Sequence, residues 1–151
     1  MARRERFVFE TPWRSFAAPS PDAEPVALVT FIELRSVWSL PRFEWYSRQI
    51  QRQLAGSPGL VGYSFRARLP RSYWTLSVWQ NSRDLLRFVR TKPHARVMGI
   101  LPPHTERFTS ERWRVTGPEP RVSWAEALGR LAASPAPSSD ASVAGPRPAR
   151  R

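Results

Sequence analysis

Val61, Tyr63, Phe65, Ala67 and Leu69 alternate with Gly62, Ser64, Arg66 and Arg68. After the short connector LPRS comes a second strand-like run, SYWTLSVWQ. A period of two sends alternate side chains to opposite faces of a sheet. So short a gap between two such runs leaves room only for an antiparallel hairpin. This hairpin constrains the fold most, because the other elements must be arranged around it.

Upstream, VALVTFIELRSV from Val26 is rich in β-branched residues and reads as a first strand. SLPRFEWYSRQIQRQLAG follows, with Ser39 placed to cap a helix, Pro41 in its first turn and Gly56 at its end. Phe43, Tyr46, Ile50 and Leu54 recur at helical spacing and form its apolar stripe. Downstream of the hairpin, Asn81 and Asp84 open a second helix, NSRDLLRFVR, with Leu85, Phe88 and Val89 facing inwards. Pro93 interrupts it, PHARVMGIL supplies further turns, and RFTSERWRVTG alternates as a fourth strand.

The order βαββαβ, with both helices on one side of the sheet, describes an α+β ferredoxin-like sandwich over 26–132. Ser123 and Glu126 make a capping box for an extra C-terminal helix. Residues 1–25 read as a flexible segment with scattered aromatics. Residues 133–151 read as a disordered tail of Pro, Ala, Ser and Arg. The strands carry apolar residues on both alternations: Ala27, Val29 and Phe31 against Val26, Leu28 and Ile32. A lone sheet with helices on one side would expose the second set as a large apolar patch, so a homodimer is expected.

Composition excludes several chemistries. The chain has no cysteine, which removes disulfides, thiolate metal sites and cysteine nucleophiles. With two histidines and few carboxylates, no metal site is expected. The net charge of +12 comes from one lysine and otherwise arginine. Charge alone gives only nonspecific attraction, so nucleic acid is not the expected partner. No apolar run is long enough to cross a membrane and the N-terminus lacks a signal-type apolar core. The expectation is a cytoplasmic protein with no membrane partner. There is no Gly-rich phosphate loop, nucleophile elbow or carboxylate pair.

WTLSVWQNSRDLLRFVRTKPHARVMGILPP, followed by RWRVTGPEPRVSWAEALGRL, resembles an uncharacterised bacterial domain family related to the antibiotic-biosynthesis monooxygenases. The resemblance covers roughly Val26 to Leu131 and rests on the W-T-L-S-V-W strand, Phe88, His94 with Met98, Trp113 and the final P-x-x-S-W-x-E-A-x-x-R-L segment. It implies a dimeric α+β barrel, two sheets packed face to face, with a pocket in each subunit between sheet and helices. It also implies relatives that include cofactor-free oxygenases, haem-degrading enzymes and proteins with no chemistry. In the haem-degrading relatives a tryptophan matches Trp79 and a second stands where this chain has Phe88. Their iron ligand would fall near Met98, where there is no histidine. The resemblance therefore disfavours haem, and no cofactor is expected.

What remains is a monooxygenase-like barrel binding a small aromatic or isoprenoid compound and oxygenating it without a cofactor. The alternative is a non-catalytic binding or interaction protein of the same fold. His94 is the catalytic candidate, as a proton acceptor within the apolar face of Val97, Met98 and Leu101; its plainer role is packing at a helix start. Trp45, Tyr63, Trp74, Trp79, Phe88, Met98 and Trp113 are the candidate pocket walls, and Arg66 or Arg112 would hold an anionic substrate. Each aromatic has an ordinary role in a core or interface.

Overall fold

A computed structural model describes residues 8–116 and 122–133; the tail expected over 133–151 lies outside them from residue 134 onward. The elements are β1 (Val8–Glu10), β2 (Arg14–Ser15), β3 (Val26–Leu34), α1 (Leu40–Ala55), β4 (Leu60–Arg68), β5 (Ser72–Trp79), α2 (Ser82–Arg90), α3 (His94–Ile100), β6 (Thr105–Arg114) and α4 (Trp124–Ala133). One antiparallel sheet runs β1-β4-β5-β3-β6, with β2 also paired to β4. Its four long strands and α1–α3 are the expected ferredoxin-like βαββαβ core. The two short strands come from N-terminal of Val26 and extend the sheet beyond the four read from the sequence. Thr11 and Phe16 add backbone hydrogen bonds to Phe65 and Val61 of β4.

Local chemistry explains the element ends. The Asn81 side chain accepts a 2.9 Å bond from the Asp84 amide and caps α2. Ser39 does not cap α1, because it is itself helical, with φ −79° and ψ −10°. The chain has already turned in a short 3-10 segment, Val37–Ser39, which Ser36 caps through the Trp38 amide. Pro41 sits in the first turn of α1, where its missing N–H costs nothing.

Strand parity decides what the sheet presents. Cross-strand partners share a face, and Leu28↔Ser77, Thr30↔Thr75 and Ile32↔Tyr73 pair across β3 and β5. Their side chains point to α1–α3, as do Tyr63, Phe65 and Ala67 of β4. Two buried clusters fill this side. One centres on Trp79, Phe88, Leu85 and Leu54, the other on Leu34, Phe43, Val97 and Leu101. Burial of side chains this size is worth roughly 1.5–3 kcal/mol each before entropy is counted.

The opposite parity carries Ala27, Val29, Leu76 and Val78, each fully buried. Here the structure corrects the expectation of a bare face. α4 folds back beneath the sheet and packs Val122, Ala127, Trp124 and Leu131 against these residues and Trp113. The Trp124 indole donates to Ser64 Oγ at 3.1 Å, fixing the helix to β4. The centre of this face is therefore covered within one chain, and its burial does not require a second sheet. Phe31 and Trp74, half-buried and with ring centroids 4.8 Å apart, pair on the same face of β3 and β5.

Candidate active site

Between the sheet and helices α1 and α3 lies a cavity of about 310 Å³, near the small end of the range for ligand pockets. Its lining from the sheet includes Leu28, Thr30, Ile32, Phe65, Ala67, Tyr73 and Thr75. α1 contributes Phe43, Ile50 and Gln51. Phe88 of α2 and His94, Val97 and Met98 of α3 complete the apolar wall. Glu44 and Arg48, both exposed on α1, border it on the solvent side.

His94 is held from three directions. Its backbone N–H donates to Gln53 Oε1 at 2.8 Å, and Gln53 Nε2 donates to the carbonyls of Phe88 and Thr91. This glutamine thus joins α1 to the break between α2 and α3. The ring packs on Phe88 with centroids 4.8 Å apart. Nδ1 stands 3.0 Å from the Val89 carbonyl. A carbonyl only accepts, so Nδ1 carries the proton and Nε2 keeps its lone pair. Among the described residues Nε2 has no protein hydrogen-bond partner. Burial holds the imidazole pKa below its ordinary value, and the bond to Val89 opposes that only in part. The neutral ring is therefore the resting form at neutral pH.

Two further groups have defined positions. Tyr73 packs on Phe43 at 4.5 Å and donates to the Pro70 carbonyl at 2.8 Å. Burial, with Glu44 nearby, pushes its phenol pKa up. Trp79 lies behind the wall, fully buried, its indole donating to Ser77 Oγ at 3.0 Å and its ring 5.1 Å from Phe88.

Of the residues expected in the pocket, His94, Phe88 and Met98 line it, with Trp79 as their support. Tyr63 is buried beside it, stacked on Phe16 and Phe65 and bonded by Arg14. Arg66 and Trp74 border the cavity from strands whose parity turns their side chains to the other face. There the Arg66 guanidinium lies 5.6 Å from the Trp74 ring and pairs with Glu10. Trp113 is likewise on the α4 side, under Arg130 at 4.7 Å. Arg112 belongs to a separate shallow hollow with Glu24, Arg83 and Arg114. Trp45 points outwards and is 63% exposed. Trp113, Arg112 and Trp45 are not pocket walls, because position in a strand or on a helix, not aromatic character, sets the direction. The lining residues missed, Thr30, Thr75 and Tyr73, share the face of Phe65 and Ala67 only once the strands are paired, so alternation within each strand could not find them.

Among the described residues no cluster of three metal-ligating side chains occurs, and no helix is long and apolar enough to cross a membrane.

No family model matches the chain, and no curated protein matches it. Solved structures do. A candidate monooxygenase from Lactobacillus acidophilus is 11% identical, over 62% of this chain and 45% of that one, with a TM-score of 0.54. The chain thus spans less than half of that protein. A hydroxynitrile lyase from Passiflora edulis is 14% identical over 65% of this chain and 99% of its own, with a TM-score of 0.53. SnoaB, a cofactor-independent oxygenase from Streptomyces nogalater, is 21% identical over 64% and 96%, with a TM-score of 0.49. Likenesses at these identities speak to fold, and a fold shared by a lyase and a monooxygenase candidate does not choose a reaction. The chain has an α+β, ferredoxin-like fold, which it shares with the Lactobacillus acidophilus and Passiflora edulis proteins.

Proposed function

We propose that the protein binds a small, largely apolar aromatic or isoprenoid molecule in the cavity between sheet and helices, and oxygenates it without a cofactor. The observation that carries this reading is His94 Nε2, an unprotonated nitrogen with no partner among the described residues, on the wall of an apolar cavity. An electron-rich phenol seated there would give its proton to Nε2. The resulting anion can reduce O₂ directly. One oxygen atom enters at an activated CH₂ of the substrate as a carbonyl and the other leaves as water. The residues would exclude bulk water, set the ring's orientation and hold the transferred proton.

A second reading is a binding protein of the same fold without turnover. It is favoured by one detail: the partner of Nδ1 is a neutral carbonyl, not a carboxylate, so only a dipole, and no countercharge, supports an imidazolium against burial.

Oxygen-electrode measurements with polycyclic phenols test the first reading. It predicts oxygen uptake in proportion to product carbonyl, lost in His94→Ala while the phenol still binds. Binding without uptake in the wild type supports the second reading. Absence of binding by any apolar phenol removes both. Self-association, which the family resemblance implies, belongs to the proposal as well; Phe31 and Trp74, the aromatic pair on the α4 side, are the surface it would use.

A further inference from the structure

The outer face of α1 and the turn before it carry exposed aromatic and basic side chains. Trp38, just before the helix, is 89% exposed, Val37 beside it 46% and Trp45 63%. Phe43 and Leu54 mark the inward side of α1. At 100° per residue Arg42, Trp45, Arg48 and Arg52 fall on the outward arc, and all four are exposed. Arg42, Arg48 and Arg52 have no ion-pair partner among the described residues. Trp38 stands in the 3-10 turn that leads into α1 and Trp45 within the helix, so the two exposed indoles follow one stretch of chain, with Arg42 between them and Arg48 and Arg52 beyond, a ridge of aromatic and basic side chains.

We propose that this ridge docks the protein on an anionic lipid surface. Indole is an interfacial group, with an apolar body and a polar N–H, and arginine pairs with phosphate headgroups. Among the described residues nothing covers the two indoles, and a planar interface would do so. A second copy of the chain fits the ridge poorly, because a two-fold contact would bring unpaired arginines towards their own equivalents. Single-stranded nucleic acid prefers a groove that tracks its backbone, and these side chains lie along the outside of a helix. Spanning a bilayer and lying on one are different claims, and the absence of a long apolar helix among the described residues bears only on the first. The docked surface replaces the expectation of no membrane contact.

The ridge also sits beside the cavity. Arg48 belongs to both, and Glu44 next to Trp45 borders the opening. An apolar substrate dissolved in the bilayer would therefore be met where it leaves the lipid. This last step rests on the functional reading above; the docking itself does not.

The test is vesicle co-sedimentation of the full chain, without substrate, using phosphatidylcholine vesicles with and without phosphatidylglycerol. The expected result is binding to the anionic vesicles only, weakened by salt. Trp38→Ala with Trp45→Ala should return binding to the zwitterionic baseline. Replacing Arg42, Arg48 and Arg52 by Gln should reduce it by on the order of a hundredfold. All five side chains are exposed, so thermal melts of the same samples should match the wild type. Undiminished binding by these variants, or no binding to anionic vesicles, overturns the proposal. It is equally overturned if the variants instead abolish a dimer in light scattering, or abolish binding to a single-stranded oligonucleotide that competes with the vesicles. Oxygen uptake with a soluble phenol needs no vesicles, so failure of the docking and failure of the chemistry are read separately.

Discussion

His94 Nδ1 and the Val89 carbonyl oxygen, 3.0 Å apart, fix which nitrogen of the cavity histidine is free. The five-residue separation spans the break between α2 and α3. The carbonyl left unpaired where α2 ends is satisfied by the side chain that opens α3. One bond thus ends a helix, sets a tautomer and leaves Nε2 unprotonated.

That geometry sets a pH dependence. Burial lowers the folded pKa of His94 below the ordinary 6.5. Below 6.5 the unfolded chain takes up a proton that the folded protein resists, so this contribution to stability is full above 6.5. It is lost as pH falls from there through the lowered folded value. Denaturant midpoints measured across this range should fall with acid in the wild type and fall less in His94→Gln. If the histidine acts as a base, the acid limb of kcat/KM lies below pH 6.5; a limb above it would contradict a buried neutral ring.

Ala67 is buried and lines the cavity from β4. Ala67→Leu should fill part of the space. Phenol affinity is expected to fall by about tenfold or more, with the melting temperature nearly unchanged because the added methyl groups enter a void. Calorimetric titration beside thermal melts checks this. Unchanged affinity would place the ligand elsewhere.

Ala127 of α4 is fully buried against the sheet. Ala127→Asp should cost about 3–5 kcal/mol, the range for a buried charge without a partner, and should expose the Ala27–Val29 face to a hydrophobic dye. Urea unfolding of the variant measures it. A cost below about 1 kcal/mol would mean that α4 does not cover this face.

Gly62 lies under Trp13, and a Cβ there would stand 2.5 Å from the indole and 2.7 Å from the Arg14 carbonyl oxygen. Gly62→Ala should push β2 from β4. Faster proteolysis within residues 11–20, with the rest of the domain still resistant, is the expected pattern. Cleavage at the wild-type rate would count against this packing.

The sequence displayed the elements more clearly than the direction of their side chains. Alternation over 63–67 and the Asn81 cap are local and survive in the fold as read, whereas a bulge between Leu60 and Gly62 turns Val61 to the α4 side and Leu69 lies beyond the strand. Trp45 misleads because only two residues separate it from the inward Phe43, and two residues turn a helix by about 200°. The side on which Trp74 and Arg66 stand was not legible, because both parities of their strands are partly apolar and alternation identifies a strand without saying which side faces the helices. The place of α4 was not legible, since its capping box and apolar stripe say that a helix forms and packs, not on which face. His94 was legible through its spacing to Val97, Met98 and Leu101. Its Nδ1 partner was not, because the carbonyl of a residue five positions earlier becomes available only when Pro93 breaks the helix.

The most direct test is ¹⁵N NMR of the His94 imidazole, with and without a phenol shown by calorimetry to bind. Without ligand, Nδ1 is predicted to be protonated and Nε2 to carry the high-frequency signal of a bare lone pair. Addition of the phenol should then move the Nε2 signal alone, as it accepts the hydroxyl proton. A protonated Nε2 in the free protein, or an Nε2 signal indifferent to the bound phenol, would contradict His94 as the proton acceptor of the site.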